Sequence, residues 1–561
     1  MHKQVFILFA FVAFANSIVF GQSADYNLSI DVNQQGKPLR PIWAYFGYDE
    51  PNYTYMKDGR KLLSELSALS PVPVYVRTHN LLTSGDGTAA LKWGSTNAYT
   101  EDKKGKPVYN WLIVDSIMDT YIKRRMKPLV EIGFMPEALS VKPQPYRHVW
   151  KPGVDYNKIY TGWAHPPKDY KKWGALVYEW VRHSIERYGK EEVKSWWWEV
   201  WNEPNIGYWK GTPEEFFMLY DYAADAVKRA LPEARIGGPS TTGPGWDKAA
   251  VYLKNFLQHC ANDKNYATGK TGSPLDFISF HGKGSPKVVN GHVQMNMSTE
   301  LNDAAKGFEI VNGSAFKDLP ILLTEFDPEG CAACGMATNP ENAYRNGTMY
   351  SSYTASSFAR LHDLANRYNA NLEGATSWSF EFEGQPWFDG YRDLATNGID
   401  KPVLNVFRMY GLMSGNRVDV VNPNQIPLDS ILKNGVRQKQ RDVHALAVAN
   451  NKSTSIMVWN YHDADVQMEN ASVKIIIKNI PSGKVLLNHY RIDKDHSNSY
   501  EAWKKMGSPQ NVSDEQYAQL ERAGQLELLH SPQWITTTNG ETVVTFSLPV
   551  QGVSLLTIKY E

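Results

Sequence analysis

Between residues 43 and 410 the chain alternates two rhythms. Short apolar runs rich in β-branched and aromatic residues predict strands over 43–48, 72–79, 127–134, 195–201, 234–238, 277–280, 320–326 and 375–380. Longer amphipathic stretches predict helices over 57–69, 111–125, 167–188, 213–230 and 343–367. Pro213 behind Thr212 suits a helix start, since the hydroxyl accepts from an orphan N–H and proline has none to leave unpaired. Strand and helix repeating in series predict an α/β chain with a (β/α)8 barrel over residues 41–415, rather than an open doubly wound sheet. No Gly-x-Gly-x-x-Gly turn follows the first strand, so no dinucleotide cofactor is expected.

Past residue 416 the pattern shortens to strands over 444–449, 455–461, 473–477, 485–490, 535–538, 542–548 and 554–560. Asn539-Gly540 reads as a hairpin turn between two of them. This predicts a C-terminal all-β sandwich over 416–561, completed by a lead strand within 22–40. Ser513 caps a helical insertion over 513–523. At the other end, His2 and Lys3 precede an apolar run over 5–14, and Val19 and Gly21 stand at the −3 and −1 positions of a cleavage site. Residues 1–21 therefore read as a secretory signal, with a retained anchor helix as the alternative, and the mature chain is expected to be secreted or periplasmic. No later stretch reaches the ~18 apolar residues of a membrane span.

Composition adds two limits. With 59 Lys+Arg against 59 Asp+Glu, bulk charge gives no argument for nucleic-acid binding. Three cysteines exclude a disulfide-dense scaffold. The 18 Trp, 31 Tyr and 21 Phe read as barrel core, or in part as rings that stack on sugar faces, Trp378 among them.

The chemistry falls at strand ends, where a barrel of this kind presents its reacting side chains. The fourth strand ends in Trp201-Asn202-Glu203-Pro204-Asn205 and the seventh in Thr324-Glu325-Phe326-Asp327. Glu203 and Glu325 would face each other across the mouth. Glycoside hydrolysis needs one carboxyl group to protonate the leaving oxygen and an ionised one to meet the anomeric carbon. Otherwise each is a buried salt-bridge partner. Glu199, four residues before Glu203, reads as a deeper structural partner. Glu381 and Glu383 read as substrate or loop contacts, Asp49 and Glu50 as contributors to the same rim, and Glu131 as a strand residue. Arg77 reads as an internal ion pair, as a cation holding Glu325 ionised, or as both. His79 and His281 read as pocket residues, because no metal-ligand spacing surrounds them, and no metal is expected.

The chain resembles glycoside hydrolase family 39, of the retaining clan of barrel enzymes with carboxylates on strands four and seven. The resemblance is carried by Val76-Arg77-Thr78-His79, Trp201-Asn202-Glu203-Pro204-Asn205 and Lys401-Pro402-Val403. In the sandwich it continues through Tyr490-Arg491-Ile492-Asp493, His496-Ser497-Asn498 and Met506-Gly507-Ser508-Pro509. It implies Glu203 as acid/base, Glu325 as nucleophile and Asn202 as a partner of the sugar 2-hydroxyl. It also implies exo action on an oligosaccharide or polysaccharide that releases a β-D-xylosyl or α-L-iduronosyl residue. Those sugars differ at C5, hydrogen in one and carboxylate in the other. His281-Gly282-Lys283-Gly284 resembles the iduronidase segment whose lysine meets that carboxylate. Arg392 offers a second cation, while Asp327 offers Lys283 a rim ion pair instead. A carbohydrate-binding protein without activity and a transglycosylase stay open as alternatives. Cys331-Ala332-Ala333-Cys334 reads as a disulfide, two free thiols or half a zinc site, with Cys260 left over.

Overall fold

The computed structural model describes residues 25–378 and 381–560. The signal reading of residues 1–21 and the end of the eighth expected strand lie outside the described residues. Eight parallel strands form the barrel: Tyr45–Tyr48, Tyr75–Thr78, Lys127–Ile132, Trp197–Val200, Arg235–Thr241, Phe277–Lys283, Ile321–Asp327, and an eighth in two pieces. Leu372–Ala375 pairs with strand seven and Ser377–Trp378 with strand one, which closes the ring. Strand two is shorter than expected and begins only after Pro73, which has no N–H to donate. Strand five runs past Gly238 through Pro239, with a register shift between Pro239 and Thr241.

Period-two alternation sorts the interior into layers. Tyr45, Leu129, Trp197, Phe277 and Leu322 make an apolar floor, with Tyr75 packed on it. Two residues further along their strands, Arg77, Glu131 and Glu199 form a fully buried charged layer. The alternate residue Trp198 points outward and meets Trp180 of the helix Tyr170–Tyr188 edge-on at 5.6 Å. That helix starts later than expected because Asp169 caps it, accepting from the N–H groups of Lys171 and Lys172. Pro213–Ala230 begins with a capping box between Thr212 and Glu215.

The C-terminal strands form one continuous ten-stranded mixed sheet rather than two separate ones. The lead strand Tyr26–Pro38 joins it, antiparallel to Asn416–Val421 and parallel to Ala471–Lys478. The sheet curls, so that Leu28, Ile30, Ile456, Ile475 and Leu556 share one apolar core. The Asn539-Gly540 turn forms, with Thr538 and Glu541 exchanging backbone hydrogen bonds, but the strands diverge after it. Gln533–Thr537 pairs with Gly483–Ile492, whereas Glu541–Leu548 pairs with Ala471–Lys478, so the turn joins two regions of the curled sheet. Barrel and sheet are locked by Asp442, which accepts from Arg360 at 2.6 Å, Ser356 at 2.8 Å and Trp459 at 2.8 Å.

Candidate active site

Strand four ends abruptly. Trp201 and Glu203 take φ of 71° and 43°, and the Glu203 N–H donates to Ser240 O at 2.8 Å. The Glu203 carboxyl thereby reaches His281 on strand six, Oε1 lying 3.0 Å from Nδ1. The same nitrogen lies 3.7 Å from Glu325 Oε1. These two distances cap the Oε1–Oε1 separation at about 6.7 Å, which admits the ~5–5.5 Å carboxyl spacing of retaining enzymes. His281 is oriented from behind by Ser240, whose Oγ lies 3.0 Å from Nε2.

The two carboxylates live in different electrostatic surroundings. Burial alone would raise the Glu325 pKa. Lys283, His281, Arg392 and His79 outweigh it and hold the group well below the usual carboxylate range. Lys283 Nζ is 2.8 Å and Arg392 Nη2 3.0 Å from Glu325 Oε2, while Arg77 Nη1 is 3.5 Å from Oε1. No Lys or Arg forms an ion pair with Glu203 among the described residues; its partner is His281. Below them Arg77 joins Glu199 at 2.6 Å and Glu131 at 2.9 Å, so it is both an internal ion pair and a neighbour of Glu325. Burial drives the Glu131 carboxyl well above its ordinary value. Arg77 Nη2 also donates to Asn202 Oδ1 at 3.0 Å, which leaves the Asn202 amide nitrogen as the end available to a ligand.

The remaining sequence candidates separate into contacts at the mouth and supports. Lys283 meets Asp327 at 2.5 Å as well as Glu325, so the rim pairing exists and extends to the catalytic candidate. Arg392 grips Asp327 through Nε at 2.6 Å and Nη2 at 2.5 Å. His79 lies 3.2 Å from Asp49 and 3.1 Å from Glu131, and burial lowers its pKa. Trp378 is fully buried and offers no open face to a sugar. Its ring carries Arg77 at 5.3 Å and Arg392 at 5.2 Å, and its Nε1 donates to Asp49 at 3.1 Å. Trp378 is therefore a support beneath the site. Glu381 and Glu383 accept from the backbone N–H groups of Gly398 and Asp58, as loop contacts.

Three participants escaped the sequence reading. Ser240 links Arg77 and His281, but lies beyond the strand end read at Gly238. Lys92, buried in the loop after strand two, pairs with Asp49; nothing in that aperiodic loop signals it. Tyr208 packs against His79 and Tyr160, and follows the Asn-Glu-Pro segment closely enough to have been suspected.

Cys331 and Cys334 form a disulfide in the loop after strand seven, and Cys260 is buried and free. Successive carbonyls of this loop each take a donor. Gly330 O accepts from Arg392 Nη1 at 2.9 Å, Cys331 O from Arg345 Nη1 at 3.1 Å, and Ala332 O from the Arg392 N–H at 3.3 Å. Ala333 O accepts from Trp150 Nε1 at 3.2 Å, and Cys334 O from Asn342 Nδ2 at 2.8 Å. Trp150 belongs to the loop after strand three, so that loop spans the mouth to reach strand seven's side. Among the described residues no cluster of His, Cys, Asp and Glu could hold a metal ion, and no helix is long and apolar enough to cross a membrane.

Two acidic side chains at the C-terminal mouth of a (β/α)8 barrel are what a glycoside hydrolase requires. Residues 26–530 match Glycosyl hydrolases family 39, and the chain belongs to that family. It is 29% identical over 465 residues to a β-xylosidase of Caldicellulosiruptor saccharolyticus, covering 80% of this chain and 83% of that one. It is 23% identical over 539 residues to an α-L-iduronidase of Mus musculus, covering 91% and 77%. In fold it is similar to a monomeric β-xylosidase from Caulobacter crescentus CB15, with a TM-score of 0.73, 22% identity and coverage of 95% and 99%.

Proposed function

We propose that this chain is a retaining exo-glycosidase. Glu325 attacks the anomeric carbon while Glu203 protonates the departing oxygen; water activated by Glu203 then releases the sugar from the glycosyl-enzyme with its configuration retained. The observation that carries this is the asymmetry around His281: one carboxylate faces three cations, and the other pairs with the imidazole and with no Lys or Arg among the described residues. Asn202, held by Arg77, presents its amide nitrogen to the 2-hydroxyl. The Trp150 loop walls the mouth, which supports action at a chain end. Proton NMR of the first-formed product from an aryl glycoside tests the reading; a product of inverted configuration would refute it, and transfer to an added sugar in preference to water would make the chain a transglycosylase.

For the released sugar, a neutral xylosyl-type residue is the first reading. Lys283 and Arg392 are already paired with Glu325 and Asp327, so a uronate carboxylate would have to draw a cation away from both. An α-L-iduronosyl residue is the second reading, favoured by Lys283, the most exposed of these cations at 18% of its side chain. Aryl xyloside, iduronide and glucuronide compared on wild type and Lys283→Met separate the two, since only a carboxylate-binding lysine shifts the uronide-to-xyloside ratio. The amino-terminal pattern supports a secreted or periplasmic location, which N-terminal sequencing of exported protein tests.

A further inference from the structure

The wall on the acid side of the pocket is basic and unpaired. Residues 141–160 carry Lys142, Arg147, Lys151 and Lys158 against a single acid, Asp155. Asp155 is occupied locally, its Oδ1 accepting from the Asn157 N–H at 3.0 Å. Arg147 lies over the Trp93 ring at 5.3 Å and close enough to help lower the Asp86 pKa, so it is set aside. Lys142, Lys151 and Lys158 are exposed and form no ion pair among the described residues, and the same holds for Lys210.

This wall is built onto the segment that follows Glu203. The Lys210 N–H donates to Ala164 O at 2.8 Å, and Lys210 Nζ lies 5.4 Å over the half-buried Tyr160 ring. Tyr160 packs on Gly207, where any Cβ would strike its ring, and lies 5.0 Å from the Tyr208 ring. Burial, then Tyr156, then the charge of Glu203 raise the Tyr160 pKa, so phenol and carboxylate are electrostatic neighbours. The Lys142 carbonyl packs against Gly162, two residues before the Ala164 that Lys210 meets, and both lysines add to burial in lowering the His165 pKa.

An acid/base catalyst stands on the leaving-group side of the scissile bond, so what stacks beside Glu203 faces the aglycone. We propose that Tyr160, Lys142 and Lys210 form an aglycone subsite for a sugar that bears a carboxylate. The inference rests on the reading of Glu203 as acid/base and deepens it. The two sides of the cleavage point differ in one physical respect. Cations on the donor side are paired with carboxylates, whereas those on the acceptor side are open to an anion without displacing one.

The test uses two disaccharides with the same donor sugar, the one whose aryl glycoside wild type hydrolyses, and acceptor sugars that differ only in carboxylate or hydroxymethyl at C5. At low ionic strength kcat/KM for the acidic acceptor is expected to exceed the neutral one by about fivefold or more, and the preference to shrink toward about one in 0.5 M salt, where the Debye length is a few ångströms. Lys142→Glu with Lys210→Glu is expected to reverse it. A ratio of one or below in wild type, or a ratio unmoved by salt and by both substitutions, overturns the subsite while turnover of the aryl glycoside leaves the parent reading standing. Failure to hydrolyse any aryl glycoside overturns both.

Discussion

Arg392 lies 3.0 Å from Glu325 through the same Nη2 that holds Asp327, so one guanidinium fixes the candidate nucleophile and its neighbour together. Arg392→Lys removes the planar fork but keeps the charge. It is expected to lower kcat/KM about 10²- to 10³-fold, the scale for loss of a positioned electrostatic group. Because cations hold the Glu325 pKa down, weakening this one raises it, and the acid limb of the kcat/KM profile moves to higher pH. A pH–rate profile checks this; an unmoved acid limb would count against the proposed role.

Arg77 serves the fold first. It is fully buried with Glu199 and Glu131, and Arg77→Met leaves those carboxyls without their cation. Loss of one partner of a buried pair costs about 3–5 kcal/mol, so urea unfolding of the variant is expected to show destabilisation on that scale. A change below about 1 kcal/mol would show that the layer is not held by Arg77.

Glu50 gives a signed pH effect. Burial, reinforced by Asp49, raises its pKa from 4.5 to about 8. Between those values the unfolded chain has released a proton that the folded chain keeps, so this group makes stability fall as pH rises from 4.5 to about 8 and adds no further change above that. Glu50→Gln keeps an oxygen to accept the Lys92 N–H, made at 2.7 Å, and removes the titration. The variant's stability relative to wild type is expected to grow across that window, measured by denaturant unfolding at several pH values; a constant difference would contradict it.

The disulfide loop presents its carbonyls to Arg392 and Trp150. Cys331→Ser with Cys334→Ser is expected to cost about 2 kcal/mol in stability, small because the closed loop is short. It is also expected to raise KM more than it lowers kcat, as the Trp150 wall loosens. Unchanged kinetics would make the bridge a stability element only.

The barrel was legible because strand and helix leave different periods, and Glu203 and Glu325 because both stand at the C-terminal ends of apolar runs. Glu199 was legible as structural because four residues along a strand return to the same face, one level deeper. Ser240 was hidden by Pro239, which ends the strand pattern but not the strand, since a register shift absorbs it. Lys92 sits in a loop with no periodicity, and its burial follows from a partner 43 residues away. The Asn539-Gly540 turn was right locally and wrong in pairing, because a turn fixes two residues and leaves the choice of partner strands to the curled sheet.

The most direct test of the account is to trap the glycosyl-enzyme. Wild type treated with a 2-deoxy-2-fluoro glycoside carrying a dinitrophenolate leaving group, then digested and mapped by mass spectrometry, is expected to carry one sugar on the peptide containing Glu325. A sugar on another carboxylate, or rapid turnover of wild type with no adduct at all, would contradict it.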